Sequence, residues 1–337
     1  MIPLSVLDLV RVREGGTLTQ AYEATVALAQ VAERLGYRRY WVAEHHLMEG
    51  IGGAAASVVL ARIGAATASI RIGSGGIMLP NHTPFHIAEQ FGTLDAMFPG
   101  RIDLGLGRAP GAGPDLQRAL RKNLHQAAEM FPQDVVELRA LLTGDLDLPV
   151  KAVPGHGARL EMWLLGSSLF GASLAAKLGL PYAFASHFAP DHLDAALALY
   201  RSRFEPSAQL DRPHVMVAMN VFCAPTREEA ELIASSQAQS FVRLRSGSPG
   251  KLPPPVPGYR ASLPPPHRAM LDHLAQAQAV GTPDEVAAAV EAFAARTGAD
   301  EIIVAGATFD PALRIRSLEL TQAGLAENTR QARYAAV

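Results

Sequence analysis

Helical and strand-like patterns of apolar residues alternate along this chain. In four places an amphipathic stretch ends at a glycine, and a short run rich in β-forming residues follows. These glycines are Gly36, Gly100, Gly179 and Gly298. Because glycine readily takes the left-handed conformation that closes a helix, each junction indicates that a helix ends and a strand begins.

Four further β-rich runs bring the number of candidate strands to eight. They span residues 5–9, 69–76, 161–165 and 215–222. Helical stretches such as residues 21–35 and 191–204 carry apolar residues at spacings of three and four. Strands that alternate with helices form a parallel sheet, and eight such units close a barrel. The pattern therefore predicts an α/β fold of the (β/α)8 TIM barrel type.

One long segment interrupts this pattern and carries eight prolines, over residues 245–268. Loops this long without secondary structure are usually lids or linkers. Because strand-like runs lie on both sides of the segment, we interpret it as a proline-rich lid loop inserted into a single barrel domain that covers residues 1–337. A linker or a partner-binding proline tract is the alternative.

Composition and charge narrow the classes of protein. The chain has 337 residues, of which 49% are hydrophobic and 18% are charged. Such a composition suits a sheet that helices cover on both faces. The formal net charge of −2 argues against nucleic-acid binding. The single cysteine, Cys223, and the lack of a signal peptide or an uninterrupted apolar span predict a cytoplasmic protein that does not enter a membrane.

Polar residues follow the predicted strands, where the active site of a barrel forms. They are Asp8, Glu44-His45-His46, Gly75-Gly76, Gly107-Arg108, Gly166-Ser167-Ser168 and Ser186-His187. One histidine of the His45-His46 pair is expected to face the barrel mouth, where an imidazole could act as a general acid or base. A histidine with a structural hydrogen bond is the alternative. A metal site that adds His82 and His86 is not favoured, because Pro84 separates them and no HExxH or cysteine cluster occurs.

The stretch Gly166-Ser167-Ser168 precedes a predicted helix and is a candidate anion site. Free backbone N–H groups and hydroxyls at a helix N-terminus suit phosphate. Arg108 follows the neighbouring strand and could supply the countercharge. An ordinary serine N-cap, with Arg108 in a surface ion pair, is the alternative interpretation.

Glycines at the end of the third predicted strand, Gly75 and Gly76 among them, could let a flat ligand lie against the backbone or could simply form a turn. GLGRAPG, at residues 105–111, begins like a dinucleotide fingerprint but has Pro110 where the third glycine belongs. Neither a P-loop nor a GxSxG elbow occurs. A phosphate site without these motifs indicates a flavin or a phosphorylated substrate.

The chain resembles the bacterial-luciferase-like, FMN-dependent monooxygenase family from about residue 3 to residue 325. The motifs that carry the resemblance are VAEHH, GSGGIMLPNHTP, FPGRIDLGLGR, WLLGSSLFGASLAAKLGLPYAFASHF, VGTPDEV and RIRSLEL. The resemblance implies a barrel that binds FMN at its C-terminal mouth and uses reduced FMN and O2 to oxygenate a small organic substrate. It also implies that a separate NAD(P)H-dependent flavin reductase supplies the reduced FMN, and that the chain forms a homodimer.

The resemblance also assigns roles to individual residues. His45 matches a histidine near the flavin, a proposed acid or base. Gly75 and Gly76 match a pair with a non-prolyl cis peptide beneath the isoalloxazine ring. The positions that hold the FMN phosphate are matched by Arg108, Gly166, Ser167 and Ser168. Gly107 stands where luciferase has a reactive cysteine, so thiol chemistry is not expected there.

The substrate is expected to be apolar or aromatic. Leu7, Met78, Phe184 and Phe188 should surround the mouth of the barrel with few charges. Three other functions are kept as alternatives: a deazaflavin-dependent hydride-transfer oxidoreductase, a non-catalytic flavin-binding protein, and a barrel that acts on a phosphorylated metabolite.

Overall fold

A computed structural model describes residues 2–109, 113–146 and 148–335, and in them it places nine strands and thirteen α-helices. The strands are β1 (Leu4–Asp8), β2 (Arg39–Val42), β3 (Arg71–Met78), β4 (Ile102–Gly107), β5 (Glu161–Gly166), β6 (Tyr182–Phe184), β7 (Val215–Cys223), β8 (Gln278–Gly281) and β9 (Glu301–Ala305). The helices are α1 (Leu18–Arg34), α2 (Ala56–Gly64), α3 (Pro84–Met97), α4 (Pro114–Leu120), α5 (Leu124–Glu129), α6 (Phe131–Thr143), α7 (Leu169–Leu178), α8 (Leu193–Ser202), α9 (Arg227–Arg245), α10 (Tyr259–Ser262), α11 (Pro265–Leu274), α12 (Pro283–Thr297) and α13 (Pro311–Ala335). Short 3-10 turns occupy Gly53–Ala55, Leu79–Asn81 and Ala275–Ala277.

Eight of these strands form a closed parallel barrel. Strands β1 to β7 pair in chain order, and β9 closes the ring between β7 and β1. These eight are the strands that the sequence predicts, so the TIM barrel is confirmed. Strand β8 was not predicted. It pairs with β7 alone, at residues 220–223, and overlaps the part of β7 that pairs with β9 only at Asn220.

A buried ion-pair cluster fills the N-terminal end of the barrel. The guanidinium of Arg39 lies 2.9 Å from Asp103 and from Glu161, and 3.2 Å from Glu301. Above it, the rings of Trp41 and Trp163 pack edge to face with their centroids 5.2 Å apart. This end of the barrel is therefore filled, so a ligand site has to lie at the opposite end, as in other barrels of this type.

The proline-rich segment at residues 245–268 is less irregular than expected. It contains α10 and the start of α11, which corrects the prediction of a loop without secondary structure. Its first half is held by hydrogen bonds: the backbone N–H of Leu252 donates to Val12 O at 2.9 Å, and Glu14 N–H donates to Leu252 O at 2.8 Å. Gln239, on α9, donates from its side-chain amide to Pro254 O at 2.8 Å.

The interpretation of residues 1–337 as one domain also covers positions 1, 110–112, 147 and 336–337, which lie outside the described residues. Pro110 and Gly111 of the GLGRAPG motif are among them. In the part of the chain that is described, no helix is both long and apolar enough to span a membrane.

Candidate active site

A cavity of about 550 Å³ lies at the C-terminal ends of the barrel strands. Most of the side chains around it are apolar or aromatic. Leu7, Met78, Phe184 and Phe188 all line it, so the sequence predicted the place of these four residues correctly. Cavities of this size, with apolar walls and a few polar groups, are typical of small-molecule sites.

His45 is the member of the histidine pair that faces this cavity. Along and just beyond β2, Trp41, Ala43 and His45 all line the cavity, as expected when alternate residues point to the same side. The Nδ1 atom of His45 is buried and has no hydrogen-bond partner in the described part of the chain. Burial, together with the nearby charge of Arg11, lowers the pKa of His45 to about 4. The imidazole is therefore neutral at pH 7.

His46 turns the other way and joins a hydrogen-bonded network with Glu44 and His82. The Nε2 atoms of His46 and His82 lie 2.5 Å and 2.7 Å from the same carboxylate oxygen, Glu44 Oε1. The other oxygen accepts the backbone N–H of Met78 at 3.0 Å. Although burial alone would raise it, the hydrogen bonds from the two histidines lower the pKa of Glu44 to about 2.

This network has the composition of a metal site, since its three ligand atoms lie within 4.8 Å of one another. Its short contacts to a single oxygen are hydrogen-bond distances, and a hydrogen-bonded network accounts for them. His86, which sequence reasoning grouped with His82, instead contacts Thr83 Oγ1 at 2.9 Å. The network could not be found from local spacing, because Glu44 and His82 meet only in the folded chain.

Arg108 lies beside the start of α7, and the sequence grouped these two features as a candidate anion site. The guanidinium of Arg108 lies over the ring of Phe170, 4.0 Å from its centroid. It forms no ion pair with any residue that the structure describes. Ser168 is the N-cap residue of α7, but its side chain makes no capping hydrogen bond, which contradicts the alternative of an ordinary serine cap. Gly166, Ser167 and Ser168 are half-buried and precede the first free N–H groups of the helix.

Gly75 and Gly76 lie inside β3 rather than after it, and the peptide bond between them is cis. The register between β3 and β4 shifts here, between Ser74 and Ile77. A Cβ atom on Gly75 would lie 2.6 Å from Leu7 Cδ1, and one on Gly76 would lie 2.7 Å from Gly105 O. Packing inside the barrel wall therefore excludes a side chain at Gly76, and at Gly75 unless Leu7 moves. Gly75 also lines the cavity.

Two of the polar residues that follow the strands are structural. The Asp8 carboxylate is fully buried and accepts hydrogen bonds from Val10 N, Thr25 Oγ1, Tyr40 Oη and Arg314 Nη1. Although burial opposes it, the charge of Arg314 lowers the pKa of Asp8. Ser186 Oγ donates to Ala218 O at 2.5 Å. Neither residue lines the cavity.

Several polar residues that the sequence did not single out as site residues also line the cavity, and three of them, His187, Arg11 and Arg314, matter most for its charge. His187 has a buried Nδ1 without a partner among the described residues, and burial with His45 nearby lowers its pKa to about 4. Arg11 and Arg314 also line the cavity. Arg11 follows β1 by three positions, and this position was the one feature of the sequence that could have indicated a place near the site. The direction of its side chain is set by folding.

The comparisons with known proteins agree with this architecture. Residues 2–301 match the luciferase-like monooxygenase family. A luciferase-like monooxygenase of Escherichia coli (strain K12) is 46% identical over 320 residues, which is 95% of this chain and 96% of that protein. The N-acetyl-S-alkylcysteine monooxygenase of Bacillus subtilis (strain 168) is 36% identical over 254 residues, 73% of this chain and 75% of that one.

Among solved structures, apo-MsnO8 superposes with a TM-score of 0.86 at 34% identity and covers 97% of this chain and 99% of its own. The FMN complex of the oxygenating constituent of 3,6-diketocamphane monooxygenase from Pseudomonas putida has a TM-score of 0.72 at 20% identity, with 97% and 98% covered. An F420-dependent secondary alcohol dehydrogenase has a TM-score of 0.67 at 15% identity, with 96% and 99% covered. The last two show a shared fold only. On the family match and the close relatives together, this chain belongs to the luciferase-like monooxygenases.

Proposed function

We propose that this protein is a monooxygenase that uses reduced FMN and O2 to oxygenate a small, mainly apolar organic molecule. The observation that carries the proposal is the position of Arg108 beside the start of α7, next to the apolar cavity. Ala109 and Leu165 line the cavity and directly adjoin Arg108 and Gly166 in the chain. A ligand with a phosphate at one end and a flat apolar ring at the other fits this arrangement.

The described residues fit FMN on two counts. Arg108 has no acidic partner, and the serine hydroxyls and N–H groups at the start of α7 add neutral donors, a set that suits a phosphate. At the other end, His45 lines the cavity, and its buried Nδ1 has no partner among the described residues. Arg108, Gly166, Ser167 and Ser168 would hold the phosphate, and Gly75 and Gly76 would lie beneath the ring.

Bound reduced FMN supplies the electrons that activate O2, so that one oxygen atom can pass to the substrate. The protein's own part is to orient the reactants and to manage protons. His45 is a neutral imidazole in the free site, so it can donate or accept a hydrogen bond at Nδ1. A negative charge that develops nearby would raise its pKa and let it take up a proton.

The first half of the proline-rich segment serves in this proposal as the lid. Pro249 and Gly250 line the cavity, and the bonds of Leu252 to Val12 and Glu14 hold this stretch across the strand ends. Excluding water protects a reactive species until the substrate binds. The proposed partners are O2, the small-molecule substrate, a separate NAD(P)H-dependent flavin reductase and a second copy of this chain in a homodimer.

The Bacillus subtilis relative is named as a monooxygenase of N-acetyl-S-alkylcysteine. This name supports a small organic molecule as the substrate class. It does not define the substrate of this chain. The cavity volume of about 550 Å³ is in the range of small-molecule sites, and its walls favour an apolar portion.

An anaerobic titration with reduced FMN, followed by rapid mixing with oxygenated buffer, tests the proposal. We expect stoichiometric binding and a long-lived intermediate in the flavin absorption spectrum. Binding with immediate reoxidation, with or without candidate substrates, would instead support a flavin carrier. A failure to bind FMN together with tight binding of a deazaflavin would replace the proposal with the hydride-transfer alternative.

A further inference from the structure

The cavity contains a half-buried positive charge that forms no ion pair with a carboxylate of the described residues. Arg11 lines it, and the Arg11 side chain makes no hydrogen bond or ion pair with any described residue. Burial, together with the nearby charge of Arg314, lowers the pKa of Arg11 to about 10, so the guanidinium stays charged at neutral pH. An uncompensated buried charge is costly unless a ligand pairs with it.

The neighbouring charges leave this cation unbalanced. Asp8 is the carboxylate whose charge acts on both arginines, and it is committed to Arg314 at 2.7 Å and to three other donors. Arg245 also lines the cavity, but it is exposed to solvent. No Asp or Glu is among the described residues that line the cavity. Apart from the exposed Arg245, the half-buried Arg11 and Arg314 together face one carboxylate, Asp8, which leaves one positive charge in excess.

Two imidazoles accompany Arg11 in the cavity. Buried Nδ1 atoms of His45 and His187 are both without a partner among the described residues. Arg11, His45 and His187 all line this cavity, and the charge of Arg11 helps to lower the pKa of each histidine. They form a polar group, hereafter the Arg11 cluster, in a cavity whose other walls are mainly apolar.

We infer that the Arg11 cluster binds the carboxylate of the substrate, so that the substrate class is an apolar molecule with a single carboxylate group. A carboxylate matches the planar guanidinium and compensates one charge. A phosphate monoester dianion would bring a second negative charge that nothing in this part of the cavity balances. The inference deepens the proposed function and rests on it for the identity of the cavity as the substrate site.

Calorimetric titration of the full-length protein, with and without bound FMN, tests this with two probes of one shape, octanoate and octanamide. We expect octanoate to bind at least tenfold more tightly than octanamide. In Arg11→Gln the two affinities should agree within twofold, with octanamide binding unchanged. Arg13→Gln is the matched control, because Arg13 stacks over Phe309 and does not line this cavity, and it should keep the preference.

Several results would overturn the inference: equal affinities in the unmodified protein, a preference that persists in Arg11→Gln, or an equal loss of octanoate and octanamide binding in that variant. Tighter binding of octyl phosphate than of octanoate would also overturn it. If Arg11→Gln does not fold, Arg11→Met, which keeps the apolar stem, and Arg11→Lys, which keeps the charge, are compared in the same way. Only the lysine variant should prefer octanoate.

The anionic ring of reduced flavin is the other source of negative charge. In one outcome, Arg11→Gln weakens the binding of reduced FMN at least tenfold while the preference for octanoate in the FMN-free protein is unchanged. The charge of Arg11 would then bind the flavin, and the inference would be wrong. The outcomes also separate this inference from the proposed function. If the protein prefers octanoate but does not bind FMN, the proposed function is wrong and the carboxylate site stands. If the protein carries out FMN-dependent oxygen chemistry but does not prefer octanoate, the proposed function stands and the carboxylate site is wrong.

Discussion

The guanidinium of Arg108 lies 4.0 Å from the centroid of the Phe170 ring, which places the end of β4 beside the first turn of α7. The contact joins two segments that are 62 residues apart in the sequence. It holds a positive charge next to free N–H groups, and the aromatic ring restricts the arginine side chain without neutralising it. Because the Arg108 side chain is exposed, this contact is what orients it beside α7.

Arg108→Ala should weaken the affinity for FMN at least tenfold and change the affinity for riboflavin less than twofold. A hydrogen bond to a charged group contributes about 1.5–3 kcal/mol, and only FMN carries the phosphate that would receive it. Quenching of flavin fluorescence measures both affinities. Arg118→Ala is the control, because Arg118 is exposed and paired with Asp115. Equal losses for FMN and riboflavin would remove the phosphate role of Arg108.

Much of the barrel could be predicted because its signals are local. A glycine that ends a helix and the β-rich run after it are adjacent in sequence and located four of the eight barrel strands, and β-rich runs alone located the other four. Strand β8 (Gln278–Gly281) was missed because no helix-ending glycine precedes it and only one of its four residues, Val280, is a strong β-former. The sequence also could not show which of His45 and His46 faces the cavity, because that depends on which face of β2 points inward.

The electrostatics of the site were less predictable than its walls. Leu7, Met78, Phe184 and Phe188 follow from their positions at strand ends. The proposed role of Arg11 depends on the ion pair between Asp8 and Arg314, two residues that are 306 positions apart along the chain. Likewise, the Glu44 carboxylate forms hydrogen bonds with His46 and His82 and with no other histidine of the described residues, and only the tertiary fold determines this.

Gly76→Ala should destabilise the protein by about 2–3 kcal/mol, because its Cβ would lie 2.7 Å from the backbone oxygen of Gly105. Gly75→Ala should lower the free energy of unfolding by less, because the added Cβ meets the Leu7 side chain, which can move. Urea unfolding measures both. Gly107→Ala is the control, where the nearest atom is Ile77 O at 3.7 Å. Three variants of equal stability would show that packing does not require glycine at position 76.

The two cavity histidines should make stability depend on pH between 4 and 6.5. Both have a pKa of about 4 in the folded chain against an ordinary value of 6.5. In this range the unfolded chain binds protons that the folded chain does not, so the free energy of unfolding falls as the pH is lowered from 6.5 toward 4. Each histidine contributes up to about 1.4 kcal/mol per pH unit.

Replacing one of these histidines should reduce that slope. Urea unfolding between pH 5 and 6.5 avoids the lower range in which Glu44 titrates. We expect His187→Asn to lower the slope by up to about 1.4 kcal/mol per pH unit. His125→Asn serves as the control, because His125 is exposed and only 3.5 Å from Glu129 on the surface of α5. A slope that is the same in all three proteins would contradict the burial of a neutral His187.

Loosening the proline-rich segment should increase the wasteful reaction of reduced FMN with O2. Two side chains of α9 hold this segment: Ser235 Oγ accepts the N–H of Val256 at 2.8 Å, and the Gln239 amide donates to Pro254 O at 2.8 Å. In the double variant Ser235→Ala/Gln239→Ala, water should reach the cavity more often. Hydrogen peroxide released from reduced FMN in the absence of substrate should therefore rise several-fold, with FMN affinity unchanged.

Val256→Ala is the control for this change, because the Val256 side chain is 39% exposed while its backbone keeps the bond to Ser235. A coupled peroxidase assay under rapid mixing measures the release rate in each protein. Equal rates in the double variant and the control would mean that the segment does not exclude water from the cavity. The linker or partner-binding role would then account for its prolines. An increase confined to the double variant would support the lid, because it removes hydrogen bonds outside the cavity and leaves Pro249 and Gly250, which line it, unchanged.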